Sequence, residues 1–436
     1  MKTKLVIWLS GKPIALLGLV LLASLAAACG GEGEEKATAG ATGTAAARPT
    51  GTAAAPTEQV PGITPTEIIL GAHGTLSGMG AVNVQVPDSM RAYYKYVNEE
   101  KGGVCGRKIT LKVEDDAGDP AKGLEAIRKL VERDKVFAMA GSMGDLVHAA
   151  VWGYLNEKGI PDLLVLAGGH RYSSDPEGHP WTIQMLPDFT VEGSFFGRYI
   201  SQNLPGKKVA VLWQNDDLGR DGLAGVKKGL DPSKNELVSE QGYDVTAIDI
   251  RPQLLAMKEA GAEVVVLYSS IGYTVQALKG ADRMGWHPEF LASYVNADAS
   301  LFQLFVPPKL AAGLVTFNAL KTSEWKDDPA VAEHYRIMSK YGGPPPTTLS
   351  LFGQVVAELV VDILGQSCDN LTREGVMKAA TSVGNWRSGL LVEGATVTIT
   401  EKDRLALDRG RMERVIEENG KGRWEYFGEL WEFHED

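Results

Sequence analysis

Ile68-Ile69-Leu70-Gly71-Ala72, running into Gly74-Thr75-Leu76-Ser77-Gly78-Met79-Gly80, sets the unit from which the chain is built. A short, unbroken apolar run reads as a strand buried on both faces. The small-residue turn after it lets other groups approach the backbone closely. Residues 87–98 then carry apolar and aromatic side chains at helical spacing. The unit recurs along the chain. Strands are expected over 108–114, 136–140, 163–166, 209–213, 264–268 and 290–292. Helices are expected over 120–133, 145–158, 190–203, 221–230, 251–260 and 273–284. Such regular exchange of strand and helix implies parallel sheets covered on both faces.

These strands are too many for one sheet of ordinary width. One series ends near Pro187-Asp188 and another begins at Lys207. The expected fold is therefore α/β: two doubly wound parallel-sheet lobes joined by a multi-crossover hinge. The first lobe takes 66–187 plus about 318–395, and the second 188–317 plus about 396–436. After Thr316 the texture changes to a Pro344-Pro345-Pro346 turn, a long apolar helix over 349–364 and another over 371–381. The end, from Val397 through Trp424, Tyr426, Phe427, Leu430 and Trp431, reads as short antiparallel strands with aromatic core packing.

The first 28 residues have a different character. Lys2, Lys4 and Lys12 flank an apolar run over 14–25 that closes on Ala26-Ala27-Ala28-Cys29. A basic segment, a short apolar segment and small residues at the cut mark an export signal over 1–28. Lys12 cuts the apolar stretch below the roughly 20 residues a membrane span needs. Cysteine directly after the small residues resembles a bacterial lipobox, although Ala26 stands where that pattern prefers Leu. The alternative is a plain secretory signal with an incidental cysteine. From Gly30 to Pro65 the chain is mostly Gly, Ala, Thr, Pro and Glu, too poor in apolar surface to offset its ordering entropy. As a flexible linker it would span roughly 30 Å. Together these place the body at the cell envelope, outside the cytoplasmic membrane, held by a lipid on Cys29 alone.

The net charge is −11, with 44% hydrophobic and 23% charged residues. An acidic body without a basic stripe excludes nucleic-acid binding. Only Cys105 and Cys368 accompany Cys29, so the fold does not depend on a disulfide framework. These two either bridge in an oxidising compartment or stand as separate thiols.

Several phrases together resemble the solute-binding proteins of branched-chain amino-acid-type (leucine/isoleucine/valine) ABC transporters, which have the type I periplasmic-binding-protein fold. They are Leu76-Ser77-Gly78, Gly102-Gly103-Val104-Cys105-Gly106-Arg107-Lys108-Ile109 and Glu114-Asp115-Asp116-Ala117-Gly118-Asp119-Pro120. His179-Pro180-Trp181-Thr182, Gln214-Asn215-Asp216-Asp217-Leu218-Gly219 and Leu371-Thr372-Arg373-Glu374 complete the set. The resemblance covers nearly the whole body. It implies one small-molecule ligand, no cofactor, an ABC transporter permease as partner and a single chain as the working unit. A ligand-sensing module for a membrane receptor is the alternative use of the same fold.

Open α/β sheets bind ligands outside the carboxyl ends of their strands. Four small-residue loops lie there: Ser77-Gly78, Gly141-Ser142-Met143-Gly144, Ala167-Gly168-Gly169 and Tyr268-Ser269-Ser270. Main-chain N–H groups and hydroxyls in such loops suit a carboxylate. The resemblance implies that Ser142, Ala167 and Gly169 hold that carboxylate, while Leu218, Ser270 and Tyr294 contribute from the second lobe. Ser77, Met143, Gly144 and Gly168 complete the expected set. Arg171 is either an anion ligand or a solvated loop residue. Amino-acid binders of this family place an acidic residue near Tyr294 or Val295, and Ala292-Ser293-Tyr294-Val295-Asn296 has none. Leu218 also stands where many relatives have Tyr. An unpaired buried ammonium is costly, so an aromatic or aliphatic carboxylate, or a small amide, fits these residues as well as an amino acid does.

No nucleophile–base set, Gly-x-Ser-x-Gly elbow or zinc spacing appears. No catalytic or metal residue is therefore expected, and Asp115-Asp116 and Asp216-Asp217 are expected to cap helices or hold turns.

Overall fold

The computed structural model describes residues 60–297 and 306–432. The export signal, Cys29 and the linker as far as residue 59 lie outside the described residues. Residues 60–65, expected in the linker, belong to the folded body. Val60 and Ile63 pack on the first-lobe core, and Ile63 bridges to Ile68.

Five strands form the first sheet: β1 (Glu67–Gly74), β2 (Lys108–Asp115), β3 (Ala138–Ala140), β4 (Asp162–Val165) and β5 (Thr182–Gln184). Their order is β2-β1-β3-β4-β5, all parallel. The second sheet holds β6 (Lys208–Gln214), β7 (Glu236–Tyr243), β8 (Val264–Tyr268), β9 (Glu289–Ala292), β10 (Val315–Asn318), β11 (Arg409–Glu418) and β12 (Lys421–Glu432). Its order is β12-β11-β10-β9-β8-β6-β7, parallel from β7 to β10, with β11 and β12 antiparallel at one edge. The expected terminal strands are thus long rather than short, at 10 and 12 residues. Trp424 is buried in the second-lobe core, and the ring of Trp431 lies edge-on to Phe195.

Central strands read clearly because both faces are covered: all five residues of β8, Val-Val-Val-Leu-Tyr, are buried. Edge strand β7 (Glu-Leu-Val-Ser-Glu-Gln-Gly-Tyr) is mostly exposed or half-buried, has no apolar run, and gives no strand signal in the sequence. Carboxylates start the helices. Asp119, Asp188, Asp216 and Asp328 each accept main-chain N–H groups at the head of a helix. The Asp216 cap starts its helix at Asp217, four residues before the expected start. That helix, Asp217–Gly229, packs tightly on Phe189–Asn203 because small residues meet at the crossing; a Cβ on Gly225 would lie 2.1 Å from the Thr190 carbonyl oxygen.

The long apolar helix Thr348–Gln366 runs through the first-lobe core against Gln85–Glu100. It is long and apolar enough to cross a membrane, but its burial accounts for that composition. The first lobe also keeps more of the late chain than expected. Val397, Ile399, Ala406 and Leu407 join the core of Ile68 and Leu70, so the boundary falls near residue 408 rather than 395. The chain consequently crosses between lobes after β5, after β10 and before β11.

Cys105 and Cys368 are joined in a disulfide between positions 263 residues apart. It ties the loop before β2 to the end of the Thr348–Gln366 helix. Constraining so long a loop in the unfolded chain is worth about 2–5 kcal/mol. We expect the Cys105→Ser, Cys368→Ser variant to fold but to lose stability of that order in urea titrations. Reductant should lower the wild-type midpoint and leave the variant unchanged.

Candidate functional site

The expected residues gather at the strand ends, where they differ in burial and in bonding partners. Ser142 and Ala167 are fully buried; the Ser142 hydroxyl oxygen accepts from the His73 N–H at 3.5 Å. The Met143 N–H donates to the His73 carbonyl, and the Gly144 N–H to the Leu166 carbonyl. The Gly169 N–H, an expected carboxylate donor, already donates to Asp145 Oδ1 at 2.8 Å. Leu218 is buried in the second-lobe core, and the Ser270 hydroxyl donates to Gln214 Oε1 at 3.2 Å. Ser77 is exposed and lies beside the Asp115 carboxylate, which it holds below its ordinary pKa. Of the main-chain donors in these loops, those of Met143, Gly144 and Gly169 are therefore committed within the protein.

A polar seam joins the lobes beyond these loops. Arg171 Nη2 donates to Asp217 Oδ1 at 2.8 Å, and the His170 N–H donates to Asp221 Oδ2 at 2.9 Å. The imidazole of His170 meets Asp188 Oδ2 at 2.6 Å, on the carboxylate that also caps Phe189–Asn203. Arg171 thus pairs with a protein carboxylate across the cleft. Asp145, largely shielded from water, faces Asp216 and Asp217 of the other lobe. Desolvation, with repulsion from those two groups, pushes its pKa up to about 7 against the Gly169 N–H. Burial raises Asp216 and Asp221 as well.

Beneath the first-lobe loops lies a fully buried chain of four ionisable groups. Asp116 Oδ2 meets His73 Nδ1 at 2.8 Å, His73 Nε2 meets His148 Nδ1 at 3.1 Å, and His148 Nε2 meets Asp162 Oδ2 at 2.8 Å. Each of these three bonds needs a proton between its heavy atoms. Burial pushes the His73 pKa below its ordinary value. The chain ties the ends of β1 and β2 to β4 and the helix Asp145–Glu157, and so frames the loops above it. Asp115 and Asp116 act as the sequence suggests in part: Asp115 accepts from the Leu76 and Ala117 N–H groups, and Asp116 also accepts from Thr75 and Gly118.

Tyr294 divides the cleft. Its hydroxyl donates to the Pro187 carbonyl at 2.8 Å, and its ring stacks on Phe189 with centroids 5.6 Å apart. The space beside Gly168 is filled by this contact: a Cβ there would lie 2.4 Å from the tyrosine hydroxyl. From below, Glu192 fixes the Tyr294 turn, with Oε1 accepting the Tyr294 N–H at 2.7 Å and Oε2 accepting the Ser293 hydroxyl at 2.8 Å. Burial pushes the Glu192 pKa up to about 8. On the hinge side of Tyr294 lies a cavity of about 230 Å³. Its walls come from both lobes and the crossings, with Leu166, Leu186, Phe317, Leu349, Phe352 and Leu407 supplying most of the apolar surface. Of the expected site residues, Met143 and Tyr294 line it. His73, Asp145, His148 and Glu192 carry no sequence signal beyond being polar residues beside apolar runs.

The Asp145 pKa gives a pH test with a definite sign. Its folded value exceeds the ordinary 3.8, so the folded protein keeps a proton that the unfolded chain releases. The associated stability is complete below about pH 4 and is lost as pH rises to about 7. Asp145→Asn keeps the Gly169 acceptor without the charge. It should raise stability at pH 8 by roughly 1–3 kcal/mol and leave it unchanged at pH 4, read by thermal unfolding across pH.

Comparison with known proteins agrees with this architecture. The periplasmic binding protein family matches residues 67–416. "Leu/Ile/Val-binding protein homolog 2" of Brucella abortus (strain 2308) is 27% identical over 201 residues, which is 46% of this chain and 53% of that protein. The chain thus matches about half the length of that relative. Among solved structures, a fatty acid ABC transporter substrate-binding protein from Thermomonospora curvata aligns with a TM-score of 0.72 at 22% identity, covering 86% of this chain and 95% of that one. A branched chain amino acid ABC transporter from Thermus thermophilus with bound valine aligns with a TM-score of 0.73 at 20% identity, covering 84% and 97%. At these identities the structures share the fold, two α/β lobes crossed three times by the chain. With the family match spanning most of the sequence, the chain belongs to the periplasmic binding protein family.

Proposed function

We propose that the protein is a solute receptor of the cell envelope that captures one small molecule between its lobes and delivers it to an ABC transporter permease. The observation that carries this reading is the cavity beside Tyr294, walled by both lobes and the crossings together. A ligand touching both lobes stabilises the closed form, and the three crossings are where a hinge motion would be absorbed. The ligand class is a branched-chain amino acid, or an aromatic or aliphatic carboxylate or amide. Related proteins are described as Leu/Ile/Val-binding and as fatty-acid substrate-binding. The reading assigns no catalysis and uses no cofactor or metal. A lipid on Cys29 would keep the receptor beside its permease as a single chain.

Mass spectrometry of natively purified protein should find one small molecule per chain. Adding that molecule at about 100 times its Kd should raise apparent stability by about 2.7 kcal/mol. Protein that neither carries a solute nor gains stability from any member of a broad solute panel would contradict the reading. Cys29→Ser should move the protein from the membrane fraction to the soluble envelope fraction without changing ligand affinity.

A further inference from the structure

We infer that the polar seam is a proton-sensitive clasp between the lobes. Arg171 and His170 of the first lobe, bonded across the cleft to Asp217, Asp221 and Asp188, favour closure, and Asp145 makes closure harder as pH rises. The inference rests on the receptor reading above for the motion of the lobes, and adds what governs that motion besides solute.

The attachments come first. Arg171 Nη2 reaches Asp217 Oδ1 at 2.8 Å, and the His170 N–H reaches Asp221 Oδ2 at 2.9 Å. Both bonds join a first-lobe turn to the second-lobe helix Asp217–Gly229. The His170 imidazole meets Asp188 at 2.6 Å, where the chain enters the second lobe. The Asp217 side chain is only 14% exposed, so its pair with Arg171 is partly shielded from water. None of these residues lines the apolar chamber beside Tyr294. They therefore act on the balance of closed and open lobes rather than on a solute in that chamber.

The opposing force is as well placed. Asp145 Oδ1 and Asp217 Oδ2, from opposite lobes, lie 3.2 and 3.3 Å from the one position that a Cβ of Gly169 would take. Asp145 faces His148 on its own helix, Tyr172 on the next first-lobe turn, and Asp216, Asp217 and Tyr294 from the second lobe. Asp216 stands beside Asp217 and Arg220, and Asp221 beside Asp217, Asp188 and His170. His148 is engaged with His73 and Asp162, and Arg220 with Asn215. Carboxyl groups thus outnumber the cations that face them.

In separated lobes each carboxylate keeps its water. Closing replaces that water with an opposing carboxylate, and a proton on Asp145 removes the conflict while the Gly169 N–H keeps its acceptor. Burial and these neighbours push the Asp145 pKa up to about 7 from the ordinary 3.8. Closed lobes therefore retain a proton that open lobes release. Closure is most favourable below about pH 4 and weakens as pH rises to about 7. Imidazole loses its charge in the same range, so the test has to separate His170 from Asp145.

Small-angle X-ray scattering of the full mature protein stripped of solute, at pH 5.5 and 8.5, reads the separation of the lobes. We expect a compact particle at pH 5.5 and a closed-to-open ratio at least about tenfold lower at pH 8.5. Asp145→Asn should stay compact at both, whereas His170→Gln should keep most of the pH response. Arg171→Gln should open the lobes at pH 5.5, and Arg171→Lys should restore closure; circular dichroism checks that each variant is folded. Wild-type scattering that is the same at both pH values would overturn the inference. So would a pH response that survives in Asp145→Asn, or folded Arg171→Gln as compact as the wild type. The receptor reading stands or falls separately, on the solute panel run at a single pH.

Discussion

The seating of Tyr294 against Gly168 is the constraint on which the cleft depends. A tyrosine hydroxyl can reach the Pro187 carbonyl only because residue 168 has no side chain, and the ring then lies flat on Phe189. Glu192 holds the same residue by its N–H from the opposite side. Fixed at backbone, ring and hydroxyl, Tyr294 separates a polar seam from an apolar chamber. Binding surface in this fold is ordinarily sought at the strand-end loops. Here, among the described residues, the Met143, Gly144 and Gly169 N–H groups of those loops are bonded within the protein, and a cavity lies behind the tyrosine.

The two compartments obey opposite electrostatic rules. At the seam, Asp145, Asp216, Asp217 and Asp221 come together around Arg171 and His170, so closing the lobes gathers acidic groups that resist losing their water. Proton uptake and the Arg171–Asp217 pair both relieve this. In the chamber the free energy comes from apolar contact. Beneath both, the Asp116–His73–His148–Asp162 chain ties strand ends without exposing a titratable group to the cleft. Buried ionisable groups paired in this way need not add net stability.

Much of the fold was legible because parallel strands covered on both faces have to be apolar, and carboxylates have to satisfy helix N-termini. Ile68–Ala72 and Val264–Tyr268 announce themselves, and the helices expected from 120 and 190 start within one residue of those observed. Edge strand β7 was missed because Glu236 and Glu240 are exposed, Ser239 and Gln241 are half-buried, and together they leave no periodic signal. The helix Pro329–Tyr341 was missed as well, although Asp328 and Pro329 form a start signal. Residues 396–407 were given to the wrong lobe because short apolar segments carry no address; only packing assigns them. The strand-end loops around Ser142, Gly168 and Tyr294 were legible as one neighbourhood of the chain. Its internal bonding was not, because Glu192 lies 102 residues from Tyr294 and His73 lies 75 from His148. No local pattern links such pairs.

The central claim is that solute occupies the hinge side of Tyr294, and a crystal structure of the mature protein with its co-purified solute tests it most directly. The account predicts ligand density between Phe317, Leu349 and Phe352, with the Tyr294 hydroxyl still on the Pro187 carbonyl and Gly169 still bonded to Asp145. Density against Gly169 and Asp217, with Tyr294 swung away from Gly168 to admit it, would contradict the account.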